Sequence, residues 1–190
     1  MASTALLIMD VQQSIVDRFR GEAGYLPRLA TAADAARGAG IRVMYVIIAF
    51  RPGYPEVSPS NPTFAGIRGS GRYIDGDPGS LIHPAVAPAP GEVIISKRRV
   101  SAFAGSDLDM VLRAGDVDSL VLAGIATSGV VLSTVRAAAD RDYRLVVLAD
   151  CCADADAEVH RVLLEKVFPS QAAVIDSDAL ESSLRRTAGA

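Results

Sequence analysis

The chain has 190 residues, half of them hydrophobic, with a net charge of −3. That length suits one domain spanning residues 1–190 with a sizeable core. The mild acidity, with arginines spread along the chain rather than gathered in a stripe, argues against nucleic acid as a partner and for a small molecule. No apolar run approaches the ~18 residues needed to cross a bilayer, and no basic n-region precedes the first apolar run. The expected location is therefore cytoplasmic, without membrane association.

In chain order, an apolar run at about 5–10 reads as a strand, 27–38 as a helix and 42–49 as a strand. The rhythm then stops. From Phe50 to Gly91 the chain is dense in Pro, Gly and Ser, and a connection far beyond the usual ~12–15 residues is more often functional than idle. It is expected to wall or cover a pocket, or to make an oligomer contact. Strands follow at about 92–97, 119–124, 144–149 and 172–176, with helices at about 107–114, 129–141, 156–167 and 177–186. Strands alternating with helices predict a three-layer α/β/α fold around a mostly parallel sheet, and the continuous apolar strands fit a sheet covered on both faces.

The most informative stretch is residues 120–136. An apolar run, Leu120 to Ala123, breaks at Gly124 and restarts as a helix after Thr127 and Ser128, either of which could cap it. The unpaired amides of such a strand–turn–helix junction suit an oxyanion or a carboxylate. Two charged residues end apolar runs elsewhere: Asp10 closes the first strand and Lys97 the third. Asp10 could simply cap the next helix. Lys97 could be a solvated cation beside Arg98 and Arg99, yet the chain has seventeen arginines against two lysines. A compact ammonium can pair closely with a carboxylate in a way that the broad guanidinium does poorly.

Gly124, Thr127 and Val131 match the turn Gly-x-x-Thr-x-x-Cys-Val, and together with Asp10, Lys97, Ser101 to Phe103 and Asp150 the sequence resembles the isochorismatase-like cysteine hydrolases. The resemblance covers residues 5 to about 175 and departs at one place: Val130 stands where the nucleophilic cysteine is expected. It implies a six-stranded sheet in the order 3-2-1-4-5-6, which sets the first and fourth strands at the switch point where ligands bind. It further implies catalytic roles for Asp10 and Lys97 and an anion-binding turn using the amides of Ala126, Gly129 and Val130. A cis Ile125–Ala126 bond and assembly into homo-oligomers also follow from it. Lys97 must reach the site from farther away. Gln12, Phe50, Phe103 and Thr127 are candidates for contact with substrate, with ordinary packing as the alternative for the first three.

Valine cannot attack a carbonyl, so the thiol route to amide hydrolysis is closed unless Thr127, Ser128 or Ser133 substitutes, and no histidine stands near these in sequence. Isochorismatases proper carry a non-cysteine residue at this place and hydrolyse a vinyl ether with release of pyruvate. By that resemblance the leading expectation is a hydrolase acting on an enol ether with Asp10 as general acid. The alternatives are a C–N hydrolase with an unconventional nucleophile and a non-catalytic binding or assembly protein. No cofactor is expected, and no metal, because His83 and His160 are the only histidines and neither belongs to a ligand cluster. His160 is expected on an exposed or capped side of its helix. Cys151 and Cys152 read as buried small apolar residues.

Overall fold

The computed structural model describes residues 3–19 and 24–188. Six strands form one sheet: β1 (Ser3–Met9), β2 (Arg42–Ile48), β3 (Val93–Lys97), β4 (Val117–Ile125), β5 (Arg144–Ala153) and β6 (Ala173–Ile175). Their order is β3-β2-β1-β4-β5-β6 and every neighbouring pair is parallel. The expected α/β fold and strand order are both present.

Side chains two apart along a strand share a face, so the apolar run Ala5 to Met9 of β1 feeds two cores. Ala5, Leu7 and Met9 enter a cluster with Val130, Val131, Val135 and Phe168 on one face, while Leu6 and Ile8 enter another with Leu29, Ala33 and Leu180. The first face is covered by α3 (Leu108–Ala114), α4 (Leu132–Ala139) and the turns at 163–170 that follow α5 (Ala157–Val162). The second is covered by α2 (Tyr25–Gly38), whose buried stripe is Tyr25, Leu29, Ala32, Ala33 and Ala36, and by α6 (Ser177–Ala188). Among the described residues no helix is long and apolar enough to cross a membrane.

Three expectations need correction. A short helix, α1 (Gln13–Arg18), follows β1 where none was expected; it has no buried residues and so no apolar stripe to announce it. β5 continues past Asp150 to Ala153, with a register irregularity against β4 between Leu122 and Gly124. The helix expected at 156–167 is α5 followed by a wide π turn at Leu163–Val167.

The stretch from 50 to 91 is more ordered than its composition suggests. It holds three short 3₁₀ turns, and Phe50, Tyr54, Val57, Phe64 and Ile67 bury a satellite core against Ile48. Gln12 joins this segment to the sheet. Its Nε2 donates to the carbonyls of Ile48 (3.0 Å) and Ser80 (2.7 Å), and its Oε1 accepts from the Ile48 amide (2.9 Å).

Candidate active site

At the carboxyl end of the sheet, Asp10 leaves β1 with a positive φ of 57°. Lys97 ends β3, two strands away, in register with Ile48 of β2. Two strand spacings amount to about 10 Å, and the extended lysine crosses β2 to bring Nζ within 2.9 Å of Asp10 Oδ2. Nζ also donates to the Arg99 carbonyl at 3.1 Å. The pair is nearly dry, with Asp10 7% and Lys97 1% exposed. Burial pushes the Asp10 carboxyl above its ordinary value against the opposing pull of the Lys97 ammonium. Asp10 Oδ1 is buried with no hydrogen-bond partner among the described residues.

Between β4 and α4 the chain makes a π turn at Thr127–Val131, preceded by a cis Ile125–Ala126 peptide bond as the resemblance implied. The expected cap is corrected: neither Thr127 nor Ser128 caps with its side chain. The carboxylate that meets this helix end comes instead from Asp154 in the β5–α5 connection, whose Oδ2 accepts from the Ser128 amide at 2.6 Å. The Gly129 amide donates to the Ala126 carbonyl at 3.1 Å, which holds it within the turn rather than presenting it to an anion.

Thr127 is fully buried and its Oγ1 lies 2.8 Å from His160 Nδ1 on α5. His160 is therefore half-buried against the turn instead of on an outer helix face, and burial lowers its pKa, partly offset by the Asp154 carboxylate. Sequence inspection found no histidine near these hydroxyls because the two residues are 33 apart and only the sheet brings them together. Val130, 2% exposed, packs in the core cluster with Met9, Leu122 and Val135.

The remaining candidates are held by packing. Gln12 is fully buried and its amide is engaged by the backbone as described. Phe50 is fully buried against Tyr54 and Phe64. Phe103 lies on the outer side of the first core beside Tyr143, under the Arg141 guanidinium. Asp150 caps α6, accepting from the amide and hydroxyl of Ser177. Cys151 and Cys152 are buried, and desolvation pushes the Cys152 thiol up to about 12. Among the described residues no group of three His, Cys, Asp or Glu is placed to hold a metal ion.

A large hollow of about 680 Å³ lies at the far pole, lined by Arg42, Met44, Glu92 and Gly115 at the amino ends of β2 and β3. This hollow is therefore separate from the buried ion pair and the turn. Asp10, Lys97, Thr127 and Val130 are each less than a tenth exposed.

Residues 4–179 match the family model described as the Isochorismatase domain. The chain is 33% identical to the ureidoacrylate amidohydrolase of Methylobacterium radiotolerans, over 96% of this chain and 80% of that one. It is 28% identical to the maleamate amidohydrolase of Pseudomonas putida, over 97% and 88%. In solved structures it is similar to a cysteine hydrolase from Pseudomonas syringae pv. phaseolicola, with a TM-score of 0.89 at 24% identity, covering 96% of this chain and 92% of that one; this last likeness is one of fold.

Proposed function

The chain belongs to the isochorismatase family of hydrolases, and from that premise we propose that it completes its reaction without a thiol intermediate, with Asp10 as the group that gives and takes the proton. The observation carrying this reading is the buried Asp10–Lys97 pair at 2.9 Å with Asp10 Oδ1 unpartnered, at the carboxyl end of the sheet; by the resemblance, Val130 stands in the place of the thiol. The substrate class is an enol ether of the isochorismate kind. Protonated Asp10 transfers its proton to the terminal methylene carbon of an enolpyruvyl group, leaving an oxocarbenium carbon. Water adds to that carbon and returns a proton to Asp10; the hemiketal then collapses to pyruvate and an alcohol.

A raised carboxyl pKa favours the acid form, and the positive charge of Lys97 opposes it. A substrate carboxylate beside Lys97 neutralises that opposition, so binding itself prepares the acid. The amides of Ala126 and Val130 are assigned to the substrate's other oxygens. The reading is tested by pyruvate release from isochorismate, followed with a coupled lactate dehydrogenase. Activity is expected in the wild type and lost in Asp10→Asn. Because the acid form of Asp10 is the reactive one, kcat/KM is expected to fall as pH rises through its raised pKa; a rate that climbs with pH removes Asp10 as the acid.

A second reading is favoured by the Thr127–His160 contact at 2.8 Å and by the names of the relatives, which are amidohydrolases. Here His160, kept neutral by its lowered pKa, takes the Thr127 proton. The alkoxide attacks an amide carbonyl, the amine leaves with the proton from His160, and water hydrolyses the ester. Ammonia release from maleamate, lost in Thr127→Val, separates this route from the first.

The domain is proposed to be single, the protein cytoplasmic and homo-oligomeric, and the partner a small molecule, with no nucleic acid, membrane, metal or cofactor involved.

A further inference from the structure

Next to the buried pair, guanidinium groups converge on a carboxylate that belongs to the segment 50–91, the expected cover. Glu56 Oε1 accepts from Arg51 Nη1 at 2.7 Å and lies 3.5 Å from Arg98 Nε. Arg99 Nη2 holds the Glu56 main-chain carbonyl at 2.9 Å while its guanidinium lies over the Phe64 ring. Arg98 and Arg99 directly follow Lys97, and the Arg99 carbonyl is the one that accepts from Lys97 Nζ. The ion pair and the arginine group therefore share one short piece of backbone.

The Glu56 side chain is 13% exposed, and its Oε2 is buried without a hydrogen-bond partner among the described residues. A guanidinium fork matches both oxygens of a carboxylate, and here one oxygen goes unmatched. Although burial pushes the Glu56 carboxyl up, hydrogen bonds from main-chain amides and the Arg51 guanidinium hold it below its ordinary value, so the occupant is an anion. Arg51, 68% exposed, has room to follow a different anion, whereas Arg98 at 18% is fixed beside the sheet edge.

We propose that Arg51 and Arg98 form a subsite for a carboxylate of the substrate, with Arg99 as a positioning residue, and that Glu56 fills this subsite until a substrate carboxylate displaces it. The proposal rests on the hydrolase reading of the same site and deepens it by naming the side chains that hold a further substrate carboxylate. Displacing Glu56 frees the segment that carries Tyr54, Val57 and Phe64, so recognition of the carboxylate and uncovering of the ion pair become one event. A ligand opens a closed state only by the difference in its affinity for the two states, and exchange of one carboxylate for another supplies that difference.

Titration calorimetry with maleate as the probe tests this in the wild type, Glu56→Gln, Arg51→Gln and the double variant. Glu56→Gln keeps the shape and removes the competing charge, so maleate is expected to bind about ten-fold tighter or better than to wild type. Adding Arg51→Gln is expected to erase the gain, neutral maleamide to show none, and added salt to shrink it. Equal maleate affinity in wild type and Glu56→Gln, binding by neither, a gain that survives loss of Arg51, or an equal gain for maleamide overturns the proposal. Should Glu56→Gln fail to fold, Arg51→Gln alone decides: it alters an exposed side chain and is expected to weaken maleate binding about five-fold or more, and unchanged affinity overturns the subsite. Binding needs no turnover, so a protein that releases neither pyruvate nor ammonia but gains maleate affinity fails the reaction reading while keeping this one.

Discussion

An ammonium and a carboxylate 2.9 Å apart in a nearly dry setting depend on each other more than on anything else nearby. Removing one partner of such a pair leaves an uncompensated buried charge, at a typical cost of about 3–5 kcal/mol. Lys97→Met is expected to show a loss of this order by urea unfolding, and the loss is expected to depend on pH with a definite sign. Asp10 already has a raised pKa through burial, and without the ammonium it rises further. The folded state of the variant then binds a proton more readily than the unfolded chain. Stability is fully present below the ordinary carboxylate range and falls as pH climbs through the raised pKa. The variant is therefore expected to approach wild type near pH 4 and to fall furthest behind it near pH 8. Asp10→Asn placed on top of Lys97→Met is expected to recover much of the deficit at pH 8, since it removes the stranded charge. A deficit that is flat with pH, or deeper in the double variant, contradicts the coupling. Both residues were legible in the sequence because each ends an apolar strand, and a lysine is rare in this arginine-rich chain. The pairing of Thr127 with His160 was not, because nothing local to either residue encodes a contact made across the ends of β4 and α5.

Where β1 and β4 lie side by side, the backbone approaches too closely for any side chain. Gly124 has a φ of 148°, and a Cβ built there would lie 2.1 Å from the Met9 carbonyl oxygen and 2.9 Å from its carbon. The contact is to backbone, which cannot turn aside as a flexible side chain can. Gly124→Ala must therefore separate the two central strands next to Asp10, and it is expected to cost several kcal/mol in urea unfolding and to lower activity at Asp10 in whatever fraction still folds. An alanine variant with wild-type stability means that β1 and β4 are farther apart than described. Among the elements, those with a strong period were legible: β1, β2 and α2 have the expected kinds and nearly the expected bounds. β5 was cut short because Asp150 looks like a strand end, whereas its carboxylate turns aside to cap α6. The start of α4 was misread for a related reason. Thr127 and Ser128 have the composition of a cap, yet the threonine hydroxyl is engaged by His160 and the capping carboxylate arrives from Asp154, a contact across the fold that local composition does not encode.

Among the described residues the buried apolar side chains fall into three clusters of unequal depth. Two lie against the faces of the sheet and are crossed by every central strand, while the third is the small satellite of Phe50, Tyr54, Val57, Phe64 and Ile67 under the covering segment. The sequence marked that segment as functional by its length and composition, but its internal core was hidden because five apolar residues scattered among prolines and glycines have no period. Stability is not uniform across such a structure; units with few apolar contacts open at a lower free energy than the whole. If the cover opens separately to admit substrate, its amides should exchange through an opening well below the global free energy of unfolding. Phe64, 4% exposed, packs edge-on against Phe50 and beneath the Arg99 guanidinium. Truncating a buried phenylalanine to alanine removes about 3–5 kcal/mol of packing. Phe64→Ala raises the folded state against both the opened and the fully unfolded chain, so it is expected to leave amides across residues 54–67 nearly unprotected while the slowest amides of β1 and β4 lose no more protection than the drop in global stability read by urea. It should also lower the energetic cost of uncovering Asp10 and Lys97, and so reduce KM for an anionic substrate without a matching rise in kcat. If the amides of residues 54–67 exchange with the same opening free energy as the slowest amides of β1 and β4, the cover and the sheet unfold as one unit, and substrate must reach the buried pair by another path.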